Sequence, residues 1–254
     1  MFFDTHTHLL DERFDETRGQ IIADFERDGV DFVIECSTDA KDIGQSVRLA
    51  ETNQKVYAAV GIHPHTAGDY SPRVKEEIIK LAKSKKVVAI GEIGLDFHYD
   101  FCPRDVQQKT FAAQIELAKS LNLPIVVHSR EASEATYDML CDCGARGELH
   151  CFSGSAEMAE RYLAKGFYIA FGGSLTFKNA AKVVRAAGAV PLDRLLIETD
   201  CPYLAPEPMR GRTNQPAYVR YVAEKLSEIK GVPAEQIAKA TRENAMRLFN
   251  ISED

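Results

Sequence analysis

The stretch Met1-Phe-Phe-Asp-Thr-His-Thr-His8 places two histidines at the end of the first predicted β-strand of the chain. Side chains alternate faces along a strand, so His6 and His8 point the same way, roughly 6–7 Å apart. Two imidazoles in this arrangement suit one metal ion. Because a lone His-x-His also arises by accident on protein surfaces, the interpretation depends on the rest of the chain.

Apolar or β-branched runs recur along the chain, and segments of helical character lie between them. Segment 105–121 predicts a helix whose apolar stripe is interrupted by Gln and Lys, and Pro103 marks its start. Segments 214–230 and 233–249 predict two closing helices. The runs that predict strands cover residues 2–8, 32–37, 56–63, 87–95, 124–129, 147–152, 167–172 and 195–200.

Alternating strands and helices favour a closed parallel barrel over an open doubly wound sheet. An open sheet usually carries a glycine-rich phosphate turn after its first strand, where this chain has His6 and His8. The 254 residues also match the roughly 250 of a typical barrel of this kind. We therefore predict an α/β fold: a single (β/α)8 TIM-type barrel, one domain over residues 1–254, with a metal site at its C-terminal face.

Candidate metal ligands stand at the ends of several of these runs. In such barrels the catalytic residues lie at the C-terminal ends of the strands. Burying several imidazoles and carboxylates together is costly unless a cation pairs with them. The predicted metal ligands are His6, His8, Glu92, His128, His150 and Asp200.

This donor set predicts two divalent metal ions per chain, drawn from Zn, Mn, Mg, Co or Ni. Six donors exceed the four of a closed structural zinc site. Two ions that share a bridging carboxylate, expected to be Glu92, leave open positions for water and substrate. From strand adjacency we expect His6, His8 and Asp200 to share one ion, and His128 and His150 to share the other.

Composition limits the classes of function. A net charge of -7 argues against a protein that coats long duplexes, although bound cations still permit phosphodiester cleavage. The scattered cysteines predict free thiols. No apolar run is long enough to span a membrane, and the first strand begins at Phe2, leaving no room for a signal peptide. We expect a cytoplasmic protein without an obligate protein partner.

Several motifs carry a family resemblance. In chain order they are Asp4-Thr-His-Thr-His8, Gly61-Ile-His-Pro-His65, Gly91-Glu-Ile-Gly-Leu-Asp96, His128-Ser-Arg130, His150-Cys-Phe-Ser-Gly154 and Glu198-Thr-Asp-Cys-Pro-Tyr203. Together they resemble the TatD family of metal-dependent hydrolases in the amidohydrolase superfamily. The resemblance implies a TIM-type barrel, one or two metals on the same six ligands, and deoxyribonuclease activity, often on single strands from the 3′ end.

One loop departs from the family pattern. Family members often carry Arg-Asn-Glu-Pro where this chain has Thr213-Asn-Gln-Pro216. The change leaves the six predicted ligands untouched, but it puts in doubt any substrate contact inferred from this loop.

We expect a hydrolase that cleaves the phosphodiester bonds of DNA through a metal-activated water, as a 3′-to-5′ exodeoxyribonuclease acting on single strands. Asp200 is the expected general base, and Glu92 is the second catalytic residue. The alternative is a small-molecule or aminoacyl-tRNA ester or amide hydrolase of the same superfamily. A non-catalytic binding role is a third possibility.

Three further residues are predicted to contact substrate: His63, His65 and Arg130. The two histidines stand around Pro64, so the alternative is a turn with two exposed imidazoles. For Arg130 the alternative is an ion pair with Glu134. Aromatic side chains in segment 97–101 either stack on bases or pack the loop.

Overall fold

The computed structural model describes residues 1–252, and within them eight strands are hydrogen-bonded in chain order in one sheet. This order, with helices between the strands, is that of a (β/α)8 barrel, so the predicted fold is confirmed. The strands are β1 (Phe2–Thr7), β2 (Val30–Cys36), β3 (Val56–Ala59), β4 (Val87–Asp96), β5 (Ile125–Arg130), β6 (Gly147–Leu149), β7 (Tyr168–Phe171) and β8 (Leu195–Ile197).

The helices follow the strands along the chain. Those of the described residues are α1 (Arg18–Ala23), α2 (Ile43–Thr52), α3 (Pro72–Leu81), α4 (Arg104–Leu121), α5 (Ser133–Leu140), α6 (Ala156–Ala164), α7 (Ala181–Ala189), α8 (Val219–Lys230) and α9 (Ala234–Phe249). The α8 helix begins later than predicted because a short 3-10 turn, Pro216–Tyr218, precedes it. No helix within residues 1–252 is both long enough and apolar enough to cross a membrane.

Contacts divide the chain into two compact units. One contains Met1–Ile34, His150–Arg247 and the residues from Ile251; the other contains Glu35–Leu149 and Leu248–Asn250. That residues 1–254 form one domain stays a prediction. All six cysteines of the sequence are free thiols, as expected.

In the first unit, the buried side chain of Asp4 holds β1 to the segment that follows β8. Asp4 accepts hydrogen bonds from the amide and hydroxyl of Thr199, at 2.8 and 2.6 Å, and from the His6 amide at 3.3 Å. Thr7 also pairs with Cys201 in a parallel bridge. These bonds fix the backbone that carries His6 and Asp200.

In the second unit, β4 is buried along its whole length, as expected for a parallel strand covered on both faces. It lies beside β5 with Gly94 opposite His128. Gly94 has a φ of +148°, and a Cβ at this position would overlap the His128 carbonyl oxygen. Only glycine allows this close approach, which sets the position of the His128 backbone.

Three strands end at least three residues earlier than predicted. β3 ends at Ala59, β6 at Leu149 and β8 at Ile197, so the predicted ends at 63, 152 and 200 were wrong. His63 and His65 therefore lie in a loop, where His63 precedes the 3-10 turn Pro64–Asp69. His150 directly follows β6, and Asp200 is the third residue after β8, at the edge where catalytic groups of such barrels are found.

Candidate metal and active site

A first cluster of ionisable side chains lies in the unit that contains β1 and β8. Its members are His6, His8, His150, Glu198 and Asp200. The Nε2 atoms of His6 and His8 are 3.1 Å apart, and the His6 ring stacks on His150 with centroids 3.9 Å apart. One ligand atom from each of His6, His150 and Glu198 lies within 4.8 Å of the others, which is close enough for one metal ion.

Glu198 is buried, and its two carboxylate oxygens have different surroundings. Oε1 accepts a hydrogen bond from the Cys151 amide at 2.6 Å and lies 3.2 Å from Nδ1 of His150. Oε2 is buried and has no hydrogen-bond partner among the described residues. A buried carboxylate oxygen without a partner is destabilising, so this atom fits a coordinated cation.

Asp200 is the remaining member of the first cluster and lies beside His6 and His8. Its Oδ1 lies 3.4 Å from Nε2 of His8 and 3.9 Å from Nε2 of His6. Burial opposes ionisation of Asp200, but the hydrogen bond from His8 and the nearby His150 and His6 lower its pKa below the ordinary value. Asp200 is therefore a carboxylate at neutral pH.

A second cluster lies in the other unit, in the second halves of β4 and β5 and in the loop after β3. Its members are His63, His65, Glu92, Asp96 and His128. Glu92 Oε1 lies 2.8 Å from Nδ1 of His128 and 3.5 Å from Nε2 of His63. Burial lowers the pKa of His63 to about 4, so its imidazole is neutral at pH 7, the form that binds metal.

His128 lies between two carboxylates. Its Nδ1 faces Glu92, and its Nε2 lies 3.3 Å from Asp96 Oδ2. Burial disfavours the Asp96 carboxylate, yet hydrogen bonds from His128, the Tyr99 amide and His65 lower its pKa overall. A neutral imidazole carries only one N–H, so one carboxylate faces a nitrogen lone pair. A cation between Nδ1 of His128 and Glu92 would relieve this contact.

Helix α4 fixes the loops that carry the second cluster. Gln114 accepts from the Ile62 amide at 2.8 Å and donates to the Ile62 carbonyl at 3.0 Å, next to His63. Gln107 forms the same pair of bonds with the backbone of Asp96, at 2.8 and 3.0 Å. Both glutamines are fully buried, whereas the sequence pattern treated the glutamines of this helix as interruptions of its apolar stripe.

The structure places the predicted ligands in both clusters. His6, His8, His150 and Asp200 lie in the first cluster, and Glu92 and His128 lie in the second. His150 stacks on His6, instead of joining His128 as expected from strand adjacency. Glu198 and Asp96 were not predicted. Glu198 stands two residues before Asp200, a spacing that shares one face in extended chain and was a usable signal.

The three predicted substrate contacts have different surroundings. His63 belongs to the group of possible metal ligands in the second cluster. His65 donates towards Asp96, with Nε2 and Oδ2 2.8 Å apart, and is part-exposed. The Arg130 guanidinium lies over the ring of Tyr99, 4.7 Å from its centroid.

Asn214, in the loop that departs from the family pattern, is fully buried. Its side-chain amide donates to the carbonyls of Thr199 and Tyr203, at 2.8 and 2.7 Å. In this chain Asn214 therefore holds the segment around Asp200, and the departures at Thr213 and Gln215 leave that support intact.

Comparison with known proteins finds relatives that match nearly the whole chain. A family model described as TatD related DNase matches residues 3–250. The uncharacterized metal-dependent hydrolase YabD of Bacillus subtilis (strain 168) is 44% identical over 99% of this chain and 100% of its own length. The 3′-5′ ssDNA/RNA exonuclease TatD of Escherichia fergusonii is 32% identical over 98% of this chain and 99% of its own length.

Solved structures lead to the same family. The crystal structure of YJJV, a TatD homologue from Escherichia coli K12, superposes with a TM-score of 0.93 at 33% identity, covering 99% of this chain and 98% of that one. The resemblance in the sequence motifs is thereby confirmed. The chain belongs to the TatD family of metal-dependent hydrolases.

Proposed function

We propose that this protein hydrolyses the phosphodiester bonds of single-stranded DNA, as a 3′-to-5′ exodeoxyribonuclease. The observation that carries the proposal is the pair of histidine–carboxylate clusters, in which Glu198 keeps a buried carboxylate oxygen without a hydrogen-bond partner among residues 1–252. The name of the Escherichia fergusonii relative supports the reaction and its polarity.

Two divalent metal ions, chosen from Zn, Mn, Mg, Co or Ni, are the proposed cofactors. His6, His8, His150, Glu198 and Asp200 would hold one ion, and His63, Glu92 and His128 the other. When bound, such ions lower the pKa of water and neutralise charge on a phosphate. The proposed bridging role of Glu92 rests on its carboxylate and on its place in the second half of β4.

The protein's own groups would supply orientation and proton transfer. Asp200 is ionised and held by His8, so its carboxylate can orient a water molecule and accept its proton. Glu92 is the second proposed catalytic carboxylate. His65 and Arg130 are proposed to contact the phosphate of the substrate. We propose that the protein acts in the cytoplasm, that DNA is its substrate and that it needs no obligate protein partner.

The test is degradation of 5′-labelled single-stranded and duplex DNA by metal-reconstituted protein. Asp200→Asn and His128→Ala serve as variants, and circular dichroism checks that both are folded. We expect a ladder that shortens from the 3′ end of the single strand and is absent with either folded variant. EDTA should abolish the ladder, and Mn, Co or Mg should restore it.

Intact DNA in the presence of bound metal would contradict the nuclease proposal. It would favour the ester or amide hydrolase alternative, for which a panel of small-molecule esters and an aminoacyl-tRNA substrate is the next assay. Full activity of verified metal-free protein would contradict the metal-dependent mechanism.

A further inference from the structure

Two exposed aromatic rings stand beside the second cluster, in the loop between β4 and α4. Tyr99 is 46% exposed and Phe101 is 69% exposed. Their rings stack nearly parallel, with centroids 5.2 Å apart and an interplanar angle of 12°. Stable loop packing normally buries such rings, because each apolar side chain left in water forgoes the free energy of burial.

The ring pair is joined to the second cluster through His65. The His65 ring meets Phe101 edge-on at 4.8 Å and Tyr99 at 5.5 Å, and it meets His63 at 4.3 Å. His65 is itself fixed by its hydrogen bond to Asp96. A substrate with a phosphate at the second cluster could therefore place a flat apolar group, such as a base, against these two rings.

A positive charge accompanies the rings. Arg130 lies over Tyr99, and among the described residues no carboxylate lies within ion-pair distance of its guanidinium. The neighbouring acids have other partners, since Glu131 contacts His98 at 2.7 Å and Asp100 contacts Arg104 at 2.7 Å. The Arg130 charge is thus available to a phosphate.

We propose that Tyr99 and Phe101 form a stacking platform for one base of a single-stranded nucleic acid, with Arg130 contacting a phosphate beside that base. This inference rests on the proposed nuclease function and adds a subsite to it. Stacking accepts every base, so the platform would favour single strands, whose bases are unpaired, without reading their sequence. A duplex would not offer a free base face.

The test uses metal-loaded protein and a nuclease-resistant phosphorothioate single strand that contains 2-aminopurine, whose fluorescence is quenched by stacking. A second strand carries abasic sites in place of the bases. Binding of both strands is measured by fluorescence anisotropy for the wild type and for Phe101→Ala, Phe101→Trp and Arg130→Ala. Tyr221→Ala on α8 is the matched control, since Tyr221 also carries an arginine, Arg220, over its ring.

We expect Phe101→Ala to weaken binding of the base-bearing strand about 5- to 100-fold and to remove the quenching. Binding of the abasic strand should be unchanged in this variant, and Phe101→Trp should retain both signals. Arg130→Ala should weaken binding of both strands equally and reduce the salt dependence. Tyr221→Ala should behave as the wild type.

Equal affinity of wild type and Phe101→Ala for the base-bearing strand would overturn the platform. If the wild type still degrades DNA in that case, the nuclease proposal stands without the platform. If the wild type neither binds nor degrades either DNA, both proposals fail.

Discussion

The Asp96 carboxylate lies 3.3 Å from Nε2 of His128, and Nδ1 of the same ring lies 2.8 Å from Glu92. If Nδ1 binds a metal ion, the ring hydrogen is on Nε2 and Asp96 accepts it, so Asp96 would set the tautomer of a proposed metal ligand. Because Asp96 also holds His65 at 2.8 Å, it orients two imidazoles of the second cluster at once.

We expect Asp96→Asn to weaken metal binding at the second cluster about 10- to 100-fold, since such outer carboxylates orient the ligand and raise its basicity. Isothermal titration of the apoprotein with Mn or Zn measures the affinity. Asp105→Asn, on the exposed first turn of α4, should bind metal as the wild type. Wild-type affinity in Asp96→Asn would show that Asp96 is not a positioning residue.

Glu198→Gln tests the first cluster. The substitution keeps the size of the side chain and an oxygen that can accept from the Cys151 amide, but it removes the negative charge. We expect metal affinity at the first cluster to fall about tenfold or more, with little change in thermal stability of the apoprotein. Metal titration and thermal unfolding measure the two quantities.

The matched control is Glu224→Gln on the exposed face of α8. It should change neither metal affinity nor stability. Unchanged metal affinity in Glu198→Gln would mean that the unpartnered Oε2 does not coordinate an ion.

Gln114→Ala should lower the free energy of unfolding by about 2–4 kcal/mol, because it leaves both the amide and the carbonyl of Ile62 buried without partners. Activity should fall as well, since Ile62 precedes His63. Urea denaturation measures the change. The matched control is Gln108→Ala on the exposed side of the same helix, for which a change below about 0.5 kcal/mol is expected. Equal stability of the Gln114→Ala and Gln108→Ala variants would show that the bonds from Gln114 to the Ile62 backbone do not stabilise the fold.

The Asp11–Arg13 pair gives the chain a stabilising contribution that depends on pH. The hydrogen bond from Arg13 lowers the pKa of Asp11 from 3.8 to about 2. The folded pKa is below the unfolded one, so the contribution is full above about pH 4 and is lost as pH falls towards 2. After allowance for solvent screening of this part-exposed pair, it is worth about 1 kcal/mol.

Accordingly, Asp11→Asn should be about 1 kcal/mol less stable than the wild type at pH 7, and the difference should shrink at pH 3. Urea denaturation at the two pH values gives the comparison. Asp15→Asn, which removes a more exposed pair with Arg18, should change stability by less than about 0.5 kcal/mol. A stability difference between Asp11→Asn and the wild type that is the same at pH 7 and pH 3 would show that the Asp11–Arg13 pair does not supply this contribution.

The sequence pattern predicted the barrel because apolar runs that alternate with helical segments are compatible with few topologies other than a closed parallel barrel. It also singled out residues that the structure places in the two clusters, each inside a strand or at most three residues after its end: His6, His8, Glu92, His128, His150 and Asp200. That these residues bind metal stays a prediction. The end of β3 could not be predicted in the same way. Val60 and Ile62 continue an apolar run, but the backbone of Ile62 bonds to Gln114 instead of to a neighbouring strand.

The buried roles of Gln107, Gln114 and Asn214 could not be predicted for a related reason. An amide side chain in a helix or loop is usually solvated, and nothing in a local pattern tells a buried one from an exposed one. Asp96 and Glu198 stood inside the quoted motifs, yet their partners lie far away in sequence. The spacing of Glu198 from Asp200 was a usable signal, but the histidines that contact Asp96 and Glu198 become identifiable only when the strands are assembled.

The two glutamines of α4 have a consequence for exchanging parts between members of the family. The side-chain amide of each glutamine accepts from a backbone amide and donates to the carbonyl of the same residue, Ile62 or Asp96. It thus makes the two hydrogen bonds that the backbone of a neighbouring strand would make. Helix α4 thus shapes the loops after β3 and β4, although it is distant in sequence from the loop after β3. If either loop were transferred into another barrel, helix α4 would have to be transferred with it. The smallest transferable unit of this site is therefore a loop together with α4.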